Sequence, residues 1–273
     1  MELMKLNRKE LTKELRGFMT NSFTNKLKSL KKNGIVGIKQ SFEDEGVLDR
    51  DLLTMNQLCK LTGLNIIVKI GGCEAISDIY RCLDLNVDGI VAPMIESEFA
   101  LQKYIESIIK NITKEQQELI KFYINIESKQ AVENLEHILE SPSSKLLNGI
   151  VIGRSDLTKS FGYGKQEVMS EHICNIVKLI LQKSKKLGLK TYMGGNINKN
   201  SINFINELFE NRLLDFIETR NVILDLKRCS DLKFVLGEMI YFESNWLEYK
   251  SQYYSKFSNQ YQNRSKEIKS RLI

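Results

Sequence analysis

Short apolar, β-branched runs recur through the middle of this 273-residue chain, each separated from the next by a segment of helical period, and this alternation restricts the fold more than any other feature. The runs are Gly34–Phe42, Asn65–Gly72, Val87–Ile95, Phe122–Ser128, Gly149–Asp156, Leu189–Asn196 and Phe216–Leu224. Nearly continuous apolar strands suit a parallel sheet buried on both faces. Between them, Glu98–Lys110, Ser128–Glu140 and Val168–Leu187 place their apolar residues at helical spacing. Repeated β-then-α units predict an α/β fold, and closure into a (β/α)8 TIM barrel is its natural solution. Seven strands can be placed from the pattern; the eighth cannot.

A barrel is favoured over an open sheet because polar residues punctuate the strand ends: Glu43, Lys69, Glu96, Glu127, Asp156, Asn196 and Glu218. Closure brings such ends to one mouth, where barrel enzymes carry out their chemistry. No G-x-G-x-x-G follows the first strand, which weakens a dinucleotide-binding reading. The expected organisation is a basic helical segment over 1–33 capping the barrel bottom, a barrel over 34–235, and a basic, aromatic helical extension over 236–273. The extension carries Met239, Phe242, Trp246, Tyr249, Tyr253 and Phe257. It packs either on its own barrel or on a partner subunit, and a homo-oligomer is expected.

Charge and cysteine usage narrow the setting. The formal net charge is +6, yet residues 1–33 and 249–273 carry the whole basic excess and the body between them is net acidic. A nucleic-acid binder places basic residues on its folded surface, so nucleic acid is not expected as a partner. No apolar run approaches the ~20 residues of a membrane helix, and the Lys-rich start has no apolar core of a signal peptide. Five widely spaced cysteines without a C-x-x-C pair read as reduced thiols, pointing to a cytoplasmic protein.

Two carboxylates stand out chemically. Glu127 ends INIES and Asp156 ends GIVIGRSD, so both are expected at the mouth. Carboxylates from neighbouring strands suit a hard cation, Mg²⁺ or Mn²⁺. Zinc would prefer His or Cys, and both histidines, His137 and His172, fall in helical segments. The competing reading makes each carboxylate a helix cap, with Ser155 and Asp156 before LTKSF. Glu96, Glu98, Cys73 and Arg220 are weaker candidates.

The series VKIGGCEA, DGIVAPMIES, INIESKQAVENLEHIL and IVIGRSDLTKSFG resembles the HpcH/HpaI aldolase and citrate lyase β-subunit family, in order over residues 34–224. The resemblance implies a barrel of the phosphoenolpyruvate/pyruvate-binding type, with Mg²⁺ or Mn²⁺ held by Glu127 and Asp156. It implies carbon–carbon lyase or aldolase chemistry on a 2-keto acid, whose enolate the metal stabilises as a Lewis acid. The substrate carboxylate would sit near Gly153, Arg154 and Ser155, whose backbone N–H groups begin a helix. An acyl-CoA lyase of the citrate-lyase-like type and a non-catalytic binding barrel are the alternatives.

Two positions depart from the family pattern. The Arg expected after the second strand is Lys69, a point charge with a tunable pKa in place of a planar fork. It supplies charge to the enolate, moves a proton, or simply neutralises Glu43 or Glu74. The His expected after the first strand's Glu43 is Asp44, so the acid/base group has to come from Glu43, Asp44, Glu45 or Glu74 if burial raises a pKa.

Overall fold

The computed structural model describes residues 21–43 and 46–271, so Asp44 and Glu45, both named above as candidate acid/base groups, lie outside the described residues. A helix over 21–32 (α1) leads into β1 (Ile35–Ser41). Then follow α2 (Asp49–Thr62), β2 (Asn65–Lys69), α3 (Ile76–Asp84), β3 (Gly89–Ala92), α4 (Glu98–Asn111), α5 (Lys114–Leu119) and β4 (Lys121–Ile126). The second half contains α6 (Lys129–Glu133), α7 (Leu135–Glu140), β5 (Gly149–Gly153), α8 (Arg154–Ser160), α9 (Glu171–Lys186), β6 (Lys190–Gly194) and α10 (Ile202–Glu210). It ends with β7 (Phe216–Glu218), β8 (Val222–Asp225) and α11 (Leu232–Lys269). The eight strands close into a barrel in sequence order, as the alternation predicts.

Local chemistry sets the element ends. Ser97, Ser128 and Asp231 each accept a backbone N–H three residues on, capping α4, α6 and α11. Gly63 stops α2 in the left-handed region at φ 65°, where a side chain would be strained. The predicted helix over Ser128–Glu140 is broken at Asn134, whose side-chain amide donates to the Glu96 carbonyl at 2.8 Å.

The eighth strand departs from the regular repeat. Phe216–Leu224, a single run in the sequence, is a hairpin: β7 stops at Glu218, Thr219–Asn221 turn, and β8 returns antiparallel to both β7 and β1. The Thr219 N–H donates to the Val222 carbonyl at 3.0 Å to close the turn. β8 therefore runs down to the barrel bottom, where the Asp225 N–H meets the Gly34 carbonyl. From there α11 climbs past the mouth.

The core has two compartments. Between strands and helices lies a continuous apolar layer that includes Leu52, Ile79, Leu101, Ile138, Ile180 and Met239. Inside the barrel Ile67, Val91, Tyr123, Val151, Tyr192 and Ile223 form a separate plug, with Val36 and Phe216 against it. The first half of α11 covers its own chain: Phe242 and Trp246 are buried and meet Phe23 of α1 edge-on, at centroid separations of 5.9 and 5.6 Å. Truncating an aromatic buried this way costs about 3–5 kcal/mol. Among the described residues no helix is long and apolar enough to cross a membrane.

Candidate active site

Alternation along each strand sets the floor of the mouth. Ile67, Tyr123, Val151, Tyr192 and Phe216 belong to the apolar plug. Two residues further along each strand, facing the same way, stand Lys69, Asn125, Gly153, Gly194 and Glu218. One step up the barrel, the lining thus changes from apolar to charged. Above this floor opens a cavity of about 300 Å³.

Glu127 is the deepest carboxylate, only 2% exposed. Asn125 Nδ2 donates to its Oε2 at 2.8 Å and the Met94 N–H donates to its Oε1 at 3.1 Å. Lys69 Nζ stands 3.9 Å from Oε2. Burial pushes the Glu127 pKa up, and these three partners offset this only in part. Lys69 is buried too and makes its closest ion pair with Glu43 Oε2, at 2.6 Å. Burial pulls its pKa down, but Glu127, Glu43 and Asp156 outweigh that and leave it above the ordinary lysine value. Lys69 is accordingly an ammonium at neutral pH, suited to stabilising charge and poorly suited to taking a proton.

Asp156 lies in the first turn of α8, exposed on the cavity wall, where its charge acts on both Glu127 and Lys69. Among the described residues no group of three or more His, Cys, Asp or Glu is gathered around one point. The donor set is therefore two hard carboxylates facing open volume. That set fits Mg²⁺ or Mn²⁺, which keep several waters or substrate oxygens, better than a closed all-protein cage.

The residues expected at the substrate carboxylate separate. Gly153 and Ser155 line the cavity. Arg154 does not: it is fully buried, with Nε donating to the Gly194 carbonyl at 3.2 Å and Nη2 to the Gly195 carbonyl at 3.0 Å. Burial lowers its pKa to about 10. Its side chain ties the end of β6 to α8 and also reaches Met169 and Ser201. Glu43 is exposed and turned to Lys69. Glu96 lines a separate shallow groove with Ser128 and Lys129, and Glu74 pairs with Lys103. Arg220 lines the cavity from the β7–β8 turn.

Further cavity residues escaped the sequence reading, among them Lys39, Ser41, Asn125 and Glu243. Lys39, midway along β1, forms an ion pair with Glu218. Ser41 and Asn125 come from β1 and β4, and the Ser41 Oγ and Asn125 Oδ1 atoms are buried without a hydrogen-bond partner among the described residues. Glu243 arrives from α11, accepting from Thr219 Oγ1 at 2.5 Å and from the Asn221 N–H at 2.6 Å. Burial raises its pKa. A charged residue inside an apolar run was the signal available for Lys39; Glu243, on a helix rich in charge, carried none.

Comparison with known proteins agrees with this architecture. The sequence pattern described as HpcH/HpaI aldolase/citrate lyase matches residues 50–201. An HpcH/HpaI aldolase structure from Desulfitobacterium hafniense DCB-2 superposes with a TM-score of 0.55 at 15% identity, covering 66% of this chain and 75% of that one. A family protein from Burkholderia cenocepacia J2315 gives 0.54 at 14% identity, covering 66% and 77%. The citrate synthase SbnG gives 0.57 at 16% identity, covering 84% and 98%. At such identities the structures share the fold alone, and no protein of curated function matches in sequence. The family pattern spans more than half of the chain, including the strands that deliver Lys69, Glu127 and Asp156, and on that ground this protein belongs to the HpcH/HpaI aldolase/citrate lyase family.

Proposed function

We propose that this protein is a divalent-metal-dependent carbon–carbon lyase or aldolase acting on a 2-keto acid through its enolate. The observation that carries the reading is the buried Glu127 facing Asp156 across open volume, with the Lys69 ammonium beside them. Glu127 and Asp156 would hold Mg²⁺ or Mn²⁺, which when bound supplies Lewis-acid stabilisation of developing negative charge. Lys69 adds fixed positive charge in a poorly solvated setting, where such a charge is worth far more than in water. Gly153 and Ser155 leave room and polar backbone beside the cation for the keto-acid carboxylate.

The surroundings follow the same reading. The five cysteines are free thiols, as the reducing cytoplasm maintains them. The outer part of α11 leaves Tyr261 and Ile268 exposed, and we assign that face to contact between subunits of a homo-oligomer. Light scattering at tens of micromolar tests this, and a monomer would count against it. The reaction itself is tested without knowing the second substrate, by following exchange of pyruvate methyl protons with D₂O in the presence of Mn²⁺. The expected result is exchange that chelation abolishes. No exchange with any simple 2-keto acid would sink the enolate reading.

A further inference from the structure

The cavity has two walls of different origin. Lys69, Asn125, Glu127 and Asp156 belong to the stretch that matches the family, whereas Lys39, Glu218, Thr219, Arg220 and Glu243 lie outside it. Under the reading just given, the first wall faces the carboxylate and keto oxygens of the substrate. It holds no obvious proton carrier: Lys69 is kept as an ammonium, and Glu127 and Asp156 are committed to the cation. The carbon skeleton then points toward the second wall. There, Glu218 is ion-paired with Lys39. Glu243 instead accepts hydrogen bonds from the Thr219 hydroxyl and the Asn221 N–H, both on Oε1, and from the Val222 backbone N–H. A proton on Oε2 leaves the Thr219 and Asn221 hydrogen bonds in place.

We propose that Glu243 is the acid/base group of the site, exchanging a proton with C3 of the 2-keto acid. The inference rests on the proposed enolate chemistry. In one direction the C3–H bond breaks and the proton passes to Glu243. The bonding pair becomes the C2–C3 double bond, and the former carbonyl pair moves onto the keto oxygen, whose charge faces Lys69. In the other direction the Glu243 acid returns the proton to C3 and the carbonyl re-forms. Burial, which favours the neutral form, brings this carboxyl closer to the range in which it works in both directions near neutral pH. The ionisable groups sharing the cavity with it are Lys39 from β1, Glu218 from β7 and Arg220 from the turn, with Lys69, Glu127 and Asp156 opposite. A helix outside the family match thereby supplies the function left open where Asp44 stands in place of the family's His.

Glu243→Gln removes the proton-transfer group while keeping an oxygen for Thr219 and Asn221. We expect pyruvate methyl-proton exchange to fall by about 10²-fold or more, the usual scale for a general acid/base. The acid limb of the pH–rate profile should disappear while the folded protein stays at least as heat-stable as wild type. A readout independent of turnover is the carboxyl ¹³C titration of Glu243 with and without oxalate, a dianionic mimic of the enolate. Oxalate should raise its midpoint. Exchange in Glu243→Gln within twofold of an active wild type, or a midpoint that oxalate leaves in place, overturns the role of Glu243 alone. A wild type that exchanges no 2-keto acid overturns the enolate reading and this role together.

Discussion

Gly153 lacks a side chain where Glu127 needs the space: a Cβ on Gly153 would lie 2.4 Å from Glu127 Oε2 and 2.8 Å from its Cβ. Gly153 ends β5 and Glu127 directly follows the neighbouring β4, where Ile126 pairs with Ile152. Gly194 stands in the same relation to Glu218, where a Cβ would lie 2.9 Å from Oε1. In the upper ring of the barrel two adjacent glycines, Gly153 and Gly194, are thus flanked by the carboxylates of Glu127 and Glu218, and the small residues set where the large ones can stand.

Gly153→Ala should therefore displace the Glu127 carboxylate. Overpacking of this kind costs typically 1–3 kcal/mol. Thermal unfolding should show that loss, and titration calorimetry with Mn²⁺ should show a weaker cation site. A variant with unchanged Mn²⁺ affinity would mean that Glu127 relaxes without consequence.

Glu127→Ala and Asp156→Ala should each abolish Mg²⁺ or Mn²⁺ binding while leaving far-ultraviolet circular dichroism unchanged. Asp156 is exposed, so its loss should spare stability; Glu127 is buried and its loss also releases Lys69 and Asn125 from a partner. Calorimetric binding that survives either change would remove that carboxylate from the ligand set.

Lys69→Met should lose about 10²–10³-fold in turnover while keeping the cation, the scale of one electrostatic donor that acts mainly in the transition state. Lys69→Arg should retain part of the activity, since charge and not proton movement is what the raised pKa leaves this side chain to supply. An arginine variant as inactive as the methionine one would argue for a proton-transfer role.

Glu243 gives a pH signature in stability. Its folded pKa is raised, so the folded state favours its protonated form more than the unfolded state does. Its effect on stability is least costly below the unfolded carboxyl value of about 4.3 and becomes unfavourable as pH climbs through the raised folded value. Attraction from Lys39 is the weakest of the opposing influences. Glu243→Gln should consequently raise Tm at pH 7, with the gain shrinking toward zero by about pH 4. Calorimetric scans at the two pH values check it.

How far the sequence carries the argument depends on what each residue's surroundings reveal locally. Strands β1 to β6 were legible because burial on both faces forces continuous apolar runs. The β7–β8 hairpin was not, because Thr219–Asn221 contains neither Gly nor Pro and reads as a polar dent in one strand. Glu127 and Asp156 announced themselves by ending apolar runs. Arg154, one residue from a cavity glycine, could not be assigned to mouth or interior without knowing that the Gly194 and Gly195 carbonyls lie within its reach. Glu243 needed the reversal of β8, since only a helix that starts at the barrel bottom reaches the mouth at that position.

That reversal also orders events during synthesis. As the chain leaves the ribosome, β1 through β6 and their helices emerge first, and Lys69, Glu127 and Asp156 with them. The hairpin then closes the cylinder, but the wall that bears Glu243 is still missing until the upward helix has been made and has docked on Phe23. A nascent chain therefore holds its acidic pair well before it can form a complete mouth. Proteolytic loss of α11 from the finished protein would return it to that half-built condition without removing a single residue of the family-matched stretch.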